Sequence, residues 1–400
     1  MYGNEIFNPE KTDTIFLSDN IPTYLVRMIM YQSAEVLFKL LRIALGNEKD
    51  FSLPNDVNWE EVYDMSLKQG VGAIACDGIL ASKDCCIDED LRYKWMGQSM
   101  VIEKKYFQHK QALADLAYFY QQQGIRMVLL KGYGLSLNYP VPEHRPSGDI
   151  DIFLKGDKMS KDKIWKLGDK AVERLLGIKV DRTHEHHTVF SFKGQTVENH
   201  YDIVNTKGTI SSRTIDNKLK EVIETFQQEE DVNGQRVLIP PPEFNAIFII
   251  RHMGQHFAGS NISIRHLLDW STFMMKCNET NDIDTDDWVG VVDFWREIGL
   301  LEFVKCINSI CVKYLGVMPA VFKGQLSSND SLVERVLNDV LQPEFNRKSE
   351  KKSIINVMFF KTRRFFANGW KRRLVYKEGL LGQFFTGSIA HMLRFRTLTQ

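Results

Sequence analysis

At 400 residues the chain is longer than one hydrophobic core usually spans, so two or three domains are expected. Hydrophobic residues make up 44% and charged residues 26%, which is ordinary for a soluble globular protein. Lys plus Arg equals Asp plus Glu at 51 each, so global charge points to neither a nucleic-acid nor an acidic partner, and any electrostatic signal must be local.

The N-terminus, MYGNEIFNPEKTD, has no basic start followed by an apolar core and does not read as a signal peptide. The six cysteines are scattered without CxxC pairs, and vicinal Cys85 and Cys86 read as reduced thiols near a turn. This usage suits a reducing cytosol, so a cytoplasmic location is expected. Helical stripes run through Ala34–Leu45, Trp59–Leu80 and Ile102–Gln123; in the last, Leu113, Leu116, Ala117 and Tyr120 recur at three- and four-residue steps. Gly124 reads as the stop signal.

The period then changes. IRMVLLK (125–131) reads as a buried strand, and a loop rich in Gly and Pro leads to a second strand, IDIFL (150–154). Ser160 is placed to cap a helix reaching about Leu176. Strands are expected at 178–182, 187–192 and 196–204, with Lys193-Gly194 turning the last two into a hairpin. Pro240-Pro241-Pro242 ends this unit, because proline suits the first turn of a helix and cannot continue a central strand. Helices follow at 243–257, 264–276 and 288–315. The expected division is a helical region over 1–120, an α/β core over 121–240 and a helical region with a basic tail over 241–400, an α+β protein overall.

Chemistry concentrates in LLKGYGLSLNYPVPEHRPSGDIDIFL (129–154). Asp149 and Asp151 are two residues apart on a predicted strand, so both side chains leave the same face. Two adjacent carboxylates repel each other and, ionised together, normally require a divalent cation or basic neighbours. Upstream, Lys131-Gly132 sits where a strand opens into a turn with a second glycine, Gly134. Such a turn lets backbone N–H groups approach a phosphate, and a helix starting near Leu135 would add its N-terminal dipole. The loop is not a Walker A motif, since GxxxxGK[ST] is absent.

This order of strand, Lys-Gly turn, Arg145 and Gly-Asp-Ile-Asp resembles the uncharacterised bacterial nucleotidyltransferases of the DNA-polymerase-β superfamily. The resemblance implies a polymerase-β-like core of mixed sheet and helices. It also implies a third carboxylate on a later strand. In VENHYDIV (197–204), Glu198 with His200 resembles the family's acidic-x-His segment, so Glu198 is chosen and Asp202 held in reserve. The implied activity moves a nucleoside monophosphate from an NTP donor to a hydroxyl on a small molecule, glycan or protein. Asp149, Asp151 and Glu198 would hold two Mg²⁺ ions, with Lys131, Gly132, Tyr133 and Arg145 around the nucleotide phosphates. For Lys131 and Arg145 the competing expectation is a salt bridge to those same aspartates. Tyr133 stands where the superfamily usually has Ser after the turn glycine, which motivates a second reading: a non-catalytic binding module of the same fold, or a toxin–antitoxin component. A nucleic-acid polymerase is disfavoured, because no long basic groove precedes the tail.

Three further clusters carry an expectation. His184, His186 and His187 are read as facing solvent. His252 and His256, four apart on one helix, and Arg265 with Asp269 on the next, are read as a polar cluster bracing the helical region against the cleft; HMGQH lacks the Glu of a zinc-protease helix. Lys361, Arg363, Arg364, Lys371, Arg372, Arg373, Lys377, Arg394 and Arg396, interleaved at first with aromatics, are read chiefly as a terminal helix buried on one side. The alternative is contact with an anionic surface. No stretch matches the roughly 20 apolar residues of a membrane span.

Overall fold

Two of the candidate carboxylates, Asp151 and Glu198, leave one face of a mixed sheet, and strand alternation sets that face. The structure, a computed structural model, describes residues 23–83, 85–156, 161–206, 209–343 and 354–386. The segment read as lacking a signal peptide, the Ser160 cap, Arg394 and Arg396 lie outside the described residues. Six strands are present among them: β1 Arg126–Leu129, β2 Ile150–Lys155, β3 His187–Phe192, β4 Gln195–His200, β5 Glu229–Val232 and β6 Gln235–Leu238. Their order in the sheet is β3-β4-β2-β1-β6-β5. Neighbours β2 and β4, and β1 and β6, run parallel; the other pairs are antiparallel.

Met127 and Leu129 of β1, Ile150, Ile152 and Leu154 of β2, Val197 of β4, and Phe190 and Phe192 of β3 share one core. This core is closed by Leu113, Leu116, Ala117 and Tyr120 of helix Glu89–Gln121 and by Ile164 and Val172 of helix Lys161–Leu176. Gly168 lets the second helix sit close: a Cβ there would fall 2.3 Å from Leu154 Cδ1. The intervening residues, Val128 and Leu130 among them, face the opposite core. That core is built jointly by helices Thr23–Ala44, Trp59–Lys68 and Gly72–Ala81 before the sheet and by Pro242–Gly259, Ile264–Thr280, Thr285–Glu297, Leu301–Leu315 and Asp330–Leu341 after it. The two helical sets are also stitched by hydrogen bonds: Asn47 Nδ2 donates to Leu315 O at 2.9 Å and Arg42 Nη1 to Tyr314 O at 3.2 Å. The result is the α+β architecture expected.

Several boundaries differ, each for a local reason. The long helix begins at Glu89 rather than 102, because Asp88 accepts from Asp90 N and Leu91 N and satisfies the first turn. The strand expected at 178–182 reduces to a single bridge between Asp181 and Val189. β4 stops at His200, four residues short of the expectation. The hairpin β5–β6 was not anticipated, although Asn233-Gly234, both with positive φ (51° and 80°), is a strong two-residue turn signal. Pro242 opens its helix as expected.

In the described part of the tail, helices Ile354–Ala367 and Gly369–Val375 do not simply solvate their charges. Lys371 is fully buried, paired with Asp339 and donating to Ser260 O at 3.1 Å. The guanidinium of Arg372 lies 4.2 Å from the Phe365 ring centroid. Glu378 accepts from Ser211 N and Oγ at 2.7 and 3.0 Å. No described helix is long and apolar enough to cross a membrane.

Candidate active site

Parallel pairing of β2 with β4 places Asp151 directly beside Glu198. Both are on the face opposite the Ile150–Ile152–Leu154 core, so both point toward helices Pro242–Gly259 and Ile264–Thr280. A cavity of about 480 Å³ opens between sheet and helices, within the usual range for small-ligand sites. Asp149, Asp151, Glu198, Lys131, Gly132 and Arg145 all line it.

Asp151 is 2% exposed, and its Oδ1 takes both Lys131 Nζ at 3.0 Å and His200 Nε2 at 3.2 Å. Burial alone would raise this carboxyl, but Lys131 and His200 outweigh it and hold it well below the usual carboxylate range. His200 Nε2 also lies 3.4 Å from Glu198 Oε2; burial lowers this imidazole, yet the two carboxylates prevail and raise it. Ligand-capable atoms of Asp151, Glu198 and His200 all come within 4.8 Å of one another. Asp149 is more open, and its carboxyl is pushed up by partial burial and by the like charges of Glu198 and Asp151. A crowd of carboxylates that raises one member's pKa is a donor set that a divalent cation would relieve.

The turn beside them depends on Gly132. Its φ is +70°, a region that side chains rarely adopt, and a Cβ there would sit 3.6 Å from Asp149 O. Leu130 N donates to Asp151 O at 3.0 Å, tying this turn to β2. The helix expected from Leu135 is a single turn, Tyr133–Ser136, too short for much of a dipole. Tyr133 itself is buried and stacks on Tyr106, with ring centroids 5.8 Å apart, in the core on the far side of the sheet. Its ring is thus not a wall of the cavity, a correction to its expected place at the phosphates.

Arg145 meets neither aspartate of the pair. Its Nε and Nη2 donate to Asp269 Oδ1 and Oδ2 at 2.7 and 2.9 Å, and Tyr139 Oη adds a third bond to Asp269 at 2.7 Å. Burial would raise Asp269, but Arg145 and Tyr139 outweigh it and hold the carboxyl low. The same loop is pinned a residue earlier. His144 reaches Asp77 at 2.7 Å and Glu103 at 3.0 Å; burial lowers its pKa, and these carboxylates more than restore it. Asp202, the reserve carboxylate, turns away past the end of β4 and pairs with Lys220 at 2.5 Å.

The helical wall presents His252, His256, Arg265 and His266. The rings of His252 and His256 are 4.5 Å apart, and burial pushes His252 well below its ordinary pKa and His266 down to about 4. His186 and His187 do not face solvent together as expected. His187 is buried, and His186 is half-buried and lines the cavity. Burial drives them down to about 3 and about 4, so both are neutral near pH 7. His187 Nε2 lies 3.7 Å from Glu198 Oε1, a contact of a neutral ring rather than an ion pair. The missed signal was the alternation of β3: His187 shares a face with Val189, which pairs with Glu198.

Neither a curated protein nor a solved structure matches the chain. A family model described as an uncharacterised nucleotidyltransferase matches residues 55–316, a span that holds the whole sheet, the cavity and helices of both flanks. The chain belongs to this nucleotidyltransferase family.

Proposed function

We propose that the protein transfers a nucleoside monophosphate from an NTP to a hydroxyl acceptor, with Asp149, Asp151 and Glu198 as ligands of two Mg²⁺ ions. The observation that carries this reading is the side-by-side placement of Asp151 and Glu198 across β2 and β4, in the cavity that Asp149 also lines. The same arrangement supports a place in the DNA-polymerase-β superfamily. When bound, magnesium would neutralise the triphosphate and the departing pyrophosphate.

The side chains divide the remaining work. Lys131, a quarter exposed, exchanges its contact with Asp151 for a phosphate oxygen of the donor. Gly132 keeps the turn bare, so that the backbone can approach the nucleotide. Glu198 accepts the proton of the acceptor hydroxyl. Arg145 does not bind phosphate in this scheme; locked to Asp269, it is a positioning residue that fixes the run from Pro146 to Asp149.

Incubation with labelled NTPs, Mg²⁺ and candidate acceptors tests the assignment. Pyrophosphate release is expected from the wild type and absent in Asp149→Ala; equal turnover in the variant rejects the proposal. Calorimetry bears on the non-catalytic alternative: Mg²⁺-dependent NTP binding fits either reading, whereas absence of both Mg²⁺ and NTP binding favours a scaffold.

A further inference from the structure

A histidine cluster borders the carboxylate site, and two of its members, His186 and His187, have no part in the nucleotidyl transfer proposed above. His186, His187 and His200 offer ring nitrogens that all lie within 4.8 Å of one another. Their centroids are 4.4 Å apart for His186 and His187, 5.1 Å for His187 and His200, and 5.5 Å for His186 and His200. On two of these rings one nitrogen, Nδ1 of His186 and Nδ1 of His187, is buried and has no hydrogen-bond partner among the described residues. A buried polar nitrogen without a partner is costly, so each of these two rings has an unmet interaction beside the cluster. Glu198 borders the group through His187 at 3.7 Å and His200 at 3.4 Å.

The chemistry of this set differs from that of the carboxylate pair. Mg²⁺ demands oxygen ligands and keeps much of its water, whereas imidazole suits borderline ions such as Zn²⁺. Three imidazoles with one carboxylate form a common zinc ligand set. We propose that His186, His187, His200 and Glu198 form a second cation site, selective for a zinc-class divalent ion. It lies beside the Asp149–Asp151 site and shares Glu198 with it. β3 and β4 supply every ligand but His186, which immediately precedes β3, so the ion would staple this edge hairpin to the floor of the cavity.

The site is tested without nucleotide, so its outcome is independent of whether the chain transfers a nucleotide. Full-length protein stripped by a chelator is titrated with Zn²⁺ against a chromophoric competitor, in excess Mg²⁺, and separately with Co²⁺ as an optical probe. The expected result is one Zn²⁺ per chain, bound at least about tenfold more tightly than in His186→Gln or His187→Gln and retained in Asp149→Asn. Co²⁺ should give the intense visible bands of nitrogen ligation at low coordination number. Wild-type affinity no better than that of the His variants, complete displacement of Zn²⁺ by Mg²⁺, or the weak spectrum of six oxygen ligands each overturns the proposal. If the variants melt early in the metal-free state, the Co²⁺ spectrum of the wild type decides alone.

Discussion

The two walls of the cavity use charge in opposite ways. On the sheet wall, Asp149, Asp151 and Glu198 crowd together, and the nearby Lys131 is partly exposed and shares one oxygen of Asp151 with His200. On the helical wall, Arg145 and Asp269 are both buried and spend two hydrogen bonds on each other, and Tyr139 adds another. The first arrangement leaves charge unbalanced, as the raised Asp149 carboxyl records. The second is closed. Charge held out of balance inside a cleft is the feature expected of a candidate site, whereas charge satisfied by a dedicated partner is the feature expected of a brace.

Four substitutions would break or sharpen that contrast. Asp151→Asn should lower nucleotidyl transfer by roughly 10³-fold while the chain stays folded, as read by pyrophosphate release alongside a thermal melt. Activity within a few fold of wild type would move the chemistry off the sheet wall. Asp269→Ala should do the reverse at comparable energy. It strands the Arg145 guanidinium in a buried site and should cost about 3–5 kcal/mol in chemical denaturation. A large loss of activity with unchanged stability would show that the helical wall is not merely a brace.

His144→Gln probes the loop that joins the walls. Because Asp77 and Glu103 raise the folded pKa above the unfolded value near 6.5, the stabilisation is complete below that value and fades as pH rises through the folded pKa. The stability gap between wild type and variant should therefore be widest in mild acid, at about 1 kcal/mol or less, and should narrow toward alkaline pH. A gap that widens with pH contradicts the clamp. Smallest of all, Tyr133→Phe should leave NTP affinity unchanged and shift stability by less than about 1 kcal/mol, since the ring lies in the core behind the sheet. A change in NTP affinity would bring that side chain back to the phosphates.

Elements with a repeating pattern were legible in the sequence. The DhD spacing on β2, the stripe of helix Glu89–Gln121 and the proline run before residue 242 each announce themselves within a few residues. Glu198 was reachable because alternation sets its face, and the family resemblance supplied the expectation of a third acid. Partners set by tertiary packing were not legible. Nothing local says that Arg145 will find Asp269, 124 residues away, rather than the aspartates four and six residues on. The Lys-Gly turn likewise gives no hint that Tyr133 folds through to Tyr106. Of the three histidines, His184 is exposed as expected, whereas pairing of β3 with β4 carries His187 inward. The Asn233-Gly234 hairpin could have been read from its dipeptide and was not.

The pairing of β2 with β4 has a consequence for how the chain reaches its working form. These parallel neighbours are joined by a long crossover, and no tight turn dictates how they slide past each other. A slip of one residue would send Glu198 into the greasy layer under the sheet and lift Val197 into the cleft. An ion that needs Asp151 and Glu198 together would bind only the correctly threaded protein and would stabilise it by mass action. Cation binding would then act as a check on assembly, and mispaired molecules would be both inert and easier to unfold.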